Sequence, residues 1–399
     1  LDDLYSEVIP LLPFPFFNVC CDETDGLGQG PSKPLAEKIG VVGVYVQHIR
    51  RVHDLIRNKY GKRMMMWGDI ILRHPEHLKE IPRDTLMLTW GYDPRSNFED
   101  QILPFSKSGY DFFVCPGVNC WNRVLPHFSA AATNIQNFVR DGFKHGAKGV
   151  LNTAWDDDGE SFNAPNWPAF AWGAECSWNA SSTTWDDFNR RVGAVLFGES
   201  GGYFGKAIAL LSTPGIAGLP NRDFWKIEIG PTKIAGVQTA RERWEALVRP
   251  VRAALEHLEA CRKEATDNGE FLDYFLFGAR RMELYAQREL DRFEAALAYR
   301  EAGRTESKQA VPLIAKAEAA LRHARDAHEA LGKRFAELWR RENKPYALDW
   351  TLARYRRAVA KYDDVLARLA YARSTARVGH LVPAPADIGL ELVESAPAE

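Results

Sequence analysis

The chain has 399 residues, 46% of them hydrophobic and 26% charged, with a formal net charge of −2. That length exceeds the needs of one small domain and points to two, while near-neutrality argues against a polyanion such as nucleic acid as principal ligand. No apolar run reaches the ~18–20 residues that span a bilayer, and Cys20, Cys21, Cys115, Cys120, Cys176 and Cys261 show neither a disulfide framework nor the paired C-x-x-C spacing of a zinc site.

In chain order, Leu1 to Pro10 reads as a helix with Leu4, Val8 and Leu11 on one face. Short apolar runs then alternate with amphipathic stretches as far as Trp178, the pattern of repeated βα units. The predicted strands are Phe14 to Cys21, Arg63 to Trp67, Thr85 to Trp90, Asp111 to Cys115 and Gly149 to Trp155. Continuous apolar runs of this kind are what parallel strands covered on both faces look like. Helical stretches lie between them: Lys33 to Tyr60, His74 to Ile81 and Ala131 to Gly146, with Asn166 to Trp178 after the last strand. A (β/α)8 barrel needs eight units and typically ~250 residues. Five units imply an incomplete TIM barrel, with about strands 4–8 present and the N-terminal part truncated.

Beyond residue 183 the pattern changes. Thr239 to Thr266, Glu270 to Gly303, Val311 to Asn343 and Leu348 to Thr375 carry helical periodicity and no strand-like runs, and their breaks contain Gly, Asn or Pro. The expected division is a partial catalytic barrel over 1–183, an all-α helical domain over 184–385 and a flexible tail over 386–399.

In a parallel barrel the chemistry lies at the strand C-termini. Those ends carry Asp22-Glu23, Trp67, Trp90, Asn119 to Trp121, and Trp155 with Asp156, Asp157 and Asp158. A bare Asp-Glu pair is more often a helix cap or a pair of solvated loop acids, and a single Trp is more often packing. Three indoles at successive strand ends beside carboxylates suit a sugar ring better than a phosphate.

Asn18-Val19-Cys20-Cys21-Asp22-Glu23 resembles the His-x-Gly-Gly-Asp-Glu signature of family 20 β-N-acetylhexosaminidases. Met64 to Asp69, Leu86 to Trp90 and Gly149 to Asp157 resemble later strands of that family, in order, so the resemblance covers about Leu1 to Trp178. It implies exo-hydrolysis of terminal β-linked GlcNAc or GalNAc with the substrate's own acetamide as nucleophile. Glu23 would be the general acid and base, and Asp22 would orient the acetamide. Trp67, Trp90 and Trp155 would wall the sugar, Asp157 would bind outer hydroxyls, and Asn119 or Trp121 would supply a further contact. The implied partner is an N-acetylhexosamine-containing glycan, with no cofactor and no metal. Three features depart from the family: Asn18 replaces His, Cys20-Cys21 replace two glycines, and the Tyr-x-Asp of the seventh strand has no clean match. These departures keep open a catalytically degenerate carbohydrate-binding homologue whose helical part is an interaction module.

Overall fold

The structure, a computed structural model, describes residues 1–179, 181–227, 229–234 and 237–394. The chain forms two compact units, one of Leu1–Asn119, Ser129–Ala154 and Ala169–Thr184, the other of Cys120–Phe128, Trp155–Pro168 and Trp185–Glu399.

The first unit is built on five parallel strands paired in chain order, β1 (Phe16–Asn18), β2 (Arg63–Trp67), β3 (Leu86–Trp90), β4 (Phe112–Cys115) and β5 (Gly149–Val150). This is a half-barrel. The register pairs Asn18 with Met65, Trp67 with Leu88, Trp90 with Cys115 and Val114 with Val150. Because successive strand side chains point to opposite faces, each strand splits its residues between two apolar layers. Met64, Met66, Met87, Phe112 and Val114 pack in the larger core. Met65, Trp67, Leu86, Leu88, Trp90, Phe113 and Cys115 form a separate cluster on the inner face.

Helices α1 (Asp2–Val8), α2 (Lys33–Asp54), α3 (Asp69–Leu72), α4 (Glu99–Ser108), α5 (Phe128–Lys144) and α6 (Trp167–Asn179) follow in sequence. Tyr45, Ile49 and Val52 of α2, Ile102 and Phe105 of α4 and Phe138 of α5 fill the larger core. The long helix expected from Lys33 is broken at Gly40, whose φ of 77° is left-handed, a conformation glycine adopts at little cost. The expected strand at Phe14 to Cys21 shortens to Phe16–Asn18 because Cys20 and Cys21 have φ of 61° and 68°. The last expected strand shrinks to Gly149–Val150, continued by an isolated parallel bridge between Gly117 and Thr153. Trp178, near the end of α6, is 92% exposed.

The second unit contains α7 (Trp185–Phe197), α8 (Tyr203–Leu211), α9 (Asn221–Trp225), α10 (Val237–Glu264), α11 (Leu272–Ala302), α12 (Ser307–Glu342), α13 (Leu348–Arg377) and α14 (Pro385–Ile388). The four long helices α10 to α13 pack each on the next in chain order. Small residues line one shared core: Ala295, Ala298 and Ala302 of α11, Ala310, Ala317 and Ala324 of α12, and Ala358, Ala372 and Ala376 of α13. Short side chains let neighbouring axes approach toward the ~8 Å end of the usual range. Strands do occur here, against expectation: β6 (Thr232–Ile234) pairs in parallel with β7 (Leu392–Glu394). The stretch read as a flexible tail therefore carries a helix and a strand, with Ile388 and Leu390 buried; residues 395–399 lie outside the described residues. No helix among the described residues is long and apolar enough to cross a membrane.

Candidate active site

In the first unit, the β1 strand end is shaped by its backbone. Cys20, Cys21 and Glu23 all have positive φ (61°, 68° and 45°), a left-handed conformation that costs an L-residue roughly 1–2 kcal/mol. The turn is pinned by hydrogen bonds on both sides. The Val19 and Trp67 amides bond across the β1–β2 pair, to Met65 O at 2.9 Å and Cys20 O at 3.0 Å. The Tyr45 hydroxyl donates to Cys21 O at 2.9 Å, and the Glu23 amide donates to Asp69 Oδ2 at 3.1 Å. Asp22 is left half-buried and Glu23 exposed.

Several charges and thiols meet there. Burial, then the charges of Cys20 and Asp22, push the Cys21 thiol up to about 11, so neither a thiolate nor a metal ligand is favoured at neutral pH. Asp69 is raised above the ordinary carboxylate value by its burial, and further by Asp22, against the lowering effect of the Glu23 amide. Asp69 Oδ1 is buried with no hydrogen-bond partner. Asp69 opens α3, and its second oxygen accepts from the Glu23 amide.

Trp67 is 4% exposed and packs in the inner-face cluster; its indole also hydrogen-bonds the Cys20 thiol. Trp90 is half-buried and stacks on Tyr92, with ring centroids 5.1 Å apart and 25° between planes. The Trp90 indole nitrogen is buried and has no partner. Asn119, left-handed at φ 58°, is buried and donates to Tyr92 O at 3.3 Å. Its loop and the β3 loop are tied together by Asn134 of α5, which is fully buried. Asn134 Oδ1 accepts from the Gly117 amide at 3.0 Å, and its Nδ2 donates to Gly91 O and Asp93 O at 2.8 and 2.9 Å. The sequence signal for Asn134 was slight: one poor helix former following an alanine run.

The remaining expected residues belong to the second unit. Trp155 is 42% exposed, and its carbonyl accepts from the Cys120 thiol at 3.2 Å. Asp157 is exposed. Its neighbour Asp158 is the better-placed acid: both its oxygens accept from Asn221 Nδ2 at 3.0 Å, and burial raises it above the ordinary range despite that bond. Trp121 and Asp158 line a cavity of about 730 Å³ with Arg222, Trp225, Arg357 and Lys361. Behind it, fully buried Glu160 pairs with Arg281 at 2.7 Å and with Arg354, and accepts the Trp225 indole N–H at 2.7 Å. Among the described residues no group of three or more His, Cys, Asp or Glu could hold a metal ion.

No protein-family model matches the chain, and no curated protein matches it in sequence. Among solved structures it is similar to a GH138 enzyme targeting pectin rhamnogalacturonan II, at 11% identity and a TM-score of 0.45, over 89% of this chain and 62% of that one. The chain thus spans less than two thirds of that enzyme's length. Likeness at this level leaves the chemistry to be argued from the side chains.

Proposed function

We propose that the protein is a glycoside hydrolase that removes terminal β-linked GlcNAc or GalNAc by a substrate-assisted, retaining route. The observation that carries this reading is the half-buried Asp22 beside the exposed Glu23 at the C-terminal end of β1, in the same half-barrel whose inner face bears Trp67 and Trp90.

In the first step Glu23 protonates the leaving glycosidic oxygen as the C1–O bond breaks and the acetamide oxygen bonds to C1. Asp22 accepts the acetamide N–H and stabilises the positive charge that develops on the ring so formed. In the second step Glu23 takes a proton from water, which attacks C1 and reopens that ring. An internal nucleophile held in a near-attack pose is worth ~7–11 kcal/mol, and the half-buried Trp90 is proposed to do the holding, while Trp67, 4% exposed, packs in the inner-face cluster. The half-buried Trp90 ring, stacked on Tyr92, is proposed as a face that meets the sugar. Asn119 shapes the loop beside Tyr92. Trp121, Trp155 and Asp157, which belong to the second unit, are proposed as sugar contacts of that unit.

Chitobiose is the discriminating substrate, because its sugar leaving group needs a proton. Glu23→Gln is expected to lower kcat on chitobiose ~10²–10⁴-fold, with a smaller loss on p-nitrophenyl-GlcNAc, whose leaving group departs unaided. Near-wild-type turnover of chitobiose by that variant would end the proposal. A second reading, a sugar binder without turnover, is favoured by Cys20-Cys21 at the strand end; tight binding of a GlcNAc-thiazoline with no hydrolysis by the native protein would establish it.

A further inference from the structure

The cavity of the second unit has a composition that the hydrolytic reading does not use. Among the described residues its wall carries five cations, Arg123, Arg222, Arg354, Arg357 and Lys361, against one carboxylate, Asp158. Arg354 is occupied by Glu160. Arg123 donates to the carbonyls of Gly218 and Trp121 at 2.8 and 2.9 Å, and Lys361 to that of Ile227 at 2.8 Å. Bonds to neutral carbonyls fix a cation's position without cancelling its charge. Among the described residues, Arg222 has only Asp223, at 3.8 Å, and the exposed Arg357 has no hydrogen bond or ion pair. A concave wall with such an excess of one sign concentrates the field that attracts an anion.

The same wall presents two indoles. Trp225 is held rigidly: its N–H is spent on Glu160, and its ring meets Tyr355 edge-on at 4.7 Å and 84°. Helix α9, which carries Trp225, is anchored at its C-terminal end by the buried Arg288, which donates to the carbonyls of Asp223, Phe224 and Lys226. Trp121 lines another part of the wall, with Asp158 and Asn122 as acceptors for hydroxyl groups. Flat apolar rings, a few hydrogen-bonding groups and a volume within the ~300–1,000 Å³ range of small-molecule sites describe a place for a sugar ring.

We propose that this cavity binds an anionic saccharide, a sugar unit bearing one carboxylate or sulfate group, with Arg357, Arg222 and Lys361 receiving the anion and Trp121 and Trp225 the ring. The proposal does not rest on the roles given to Asp22 and Glu23, since every residue in it belongs to the second unit.

The test is calorimetric titration of the full chain with four probes: chitotetraose, 6-O-sulfated chitotetraose, hyaluronan tetrasaccharide and ADP. At least one of the two anionic saccharides is expected to bind about tenfold more tightly than chitotetraose, weakening as salt rises. Their order shows whether sulfate or carboxylate is preferred. Arg357→Ala combined with Lys361→Ala, both at exposed positions, is expected to abolish that preference while leaving chitotetraose affinity and the melting temperature unchanged. Equal affinity for neutral and anionic saccharides would overturn the proposal, as would an anionic preference that survives the double substitution, or ADP binding more tightly than either anionic saccharide.

Discussion

At the scale of single residues, the β1 strand end is held in a conformation its side chains oppose. Where the resembled family carries two glycines, this chain has Cys20 and Cys21 at φ of 61° and 68°. A glycine at Cys20 would relieve about 1–2 kcal/mol of left-handed strain and cost about 0.5–1 kcal/mol in added chain entropy. Because Cys20 is exposed, little packing is lost. Cys20→Gly is therefore expected to be neutral or stabilising by up to about 1 kcal/mol in urea unfolding, and Cys20→Val destabilising, since a β-branched residue tolerates that φ least. A clear loss of stability in the glycine variant would show that the thiol, through its bond from Trp67, matters more than the strain. Asp69 gives a second test. Its raised value means that the folded protein binds this proton more tightly than the unfolded chain, so its contribution to stability falls as pH rises through the interval above 3.8. Asp69→Asn, which keeps an acceptor for the Glu23 amide, is expected to remove that slope.

At the scale of elements, what was legible in the sequence depended on burial and length. Strands β2, β3 and β4 are covered on both faces, so they appear as unbroken apolar runs, and their ends fall within a residue of expectation. Helices α10 to α13 are long enough for periodicity to locate them. Helix α4 escaped notice because Pro104 interrupts it and its two buried anchors, Ile102 and Phe105, are only three residues apart. The cavity was illegible for a different reason: its wall comes from segments near residues 121, 158, 225 and 357, and no local pattern reports their meeting. Arg354, Arg357 and Lys361 lie at helical spacing on α13, a pattern that any solvated helix face shares. What orients α9 there is buried charge, and this is testable. Glu160 and Arg281 are 0% and 2% exposed, and removing one partner of such a pair typically costs about 3–5 kcal/mol. Glu160→Gln keeps an acceptor for the Trp225 N–H but leaves Arg281 less neutralised, so a loss in that range is expected by denaturant unfolding. A loss below about 1 kcal/mol would show that the aromatic faces of Phe224 and Trp225, over which the Arg281 guanidinium lies at 4.1 and 5.1 Å, already satisfy it.

At the scale of the whole molecule, buried ionisable groups set the pH dependence of folding, and their signs differ. Asp69 and Asp158, raised mainly by burial, favour the folded state as pH falls. Asp273 acts the other way: burial alone would raise it, but Arg341, Arg334 and Arg262 outweigh that and hold it low, so its contribution is lost in acid. His328 is the strongest of these groups. It is fully buried between Phe224 and Tyr362, with ring centroids 5.7 and 5.4 Å away, and Nδ1 lies 2.8 Å from Ala324 O. Burial pushes it down to about 3. The folded protein therefore keeps His328 neutral, whereas the unfolded chain protonates it below about 6.5. Stability conferred by the neutral ring is complete above 6.5 and declines as pH falls toward 3, by up to about 1.4 kcal/mol per pH unit. Between pH 6.5 and 5 this slope makes His328 a main contributor to the onset of acid unfolding. His328→Phe preserves the ring packing and removes the titration. Urea unfolding at pH 7 and pH 5 is expected to show a native loss of up to about 2 kcal/mol that the variant lacks. An equal loss in both proteins would place the acid sensitivity in His48 and His127 instead, which burial also holds below the ordinary imidazole value.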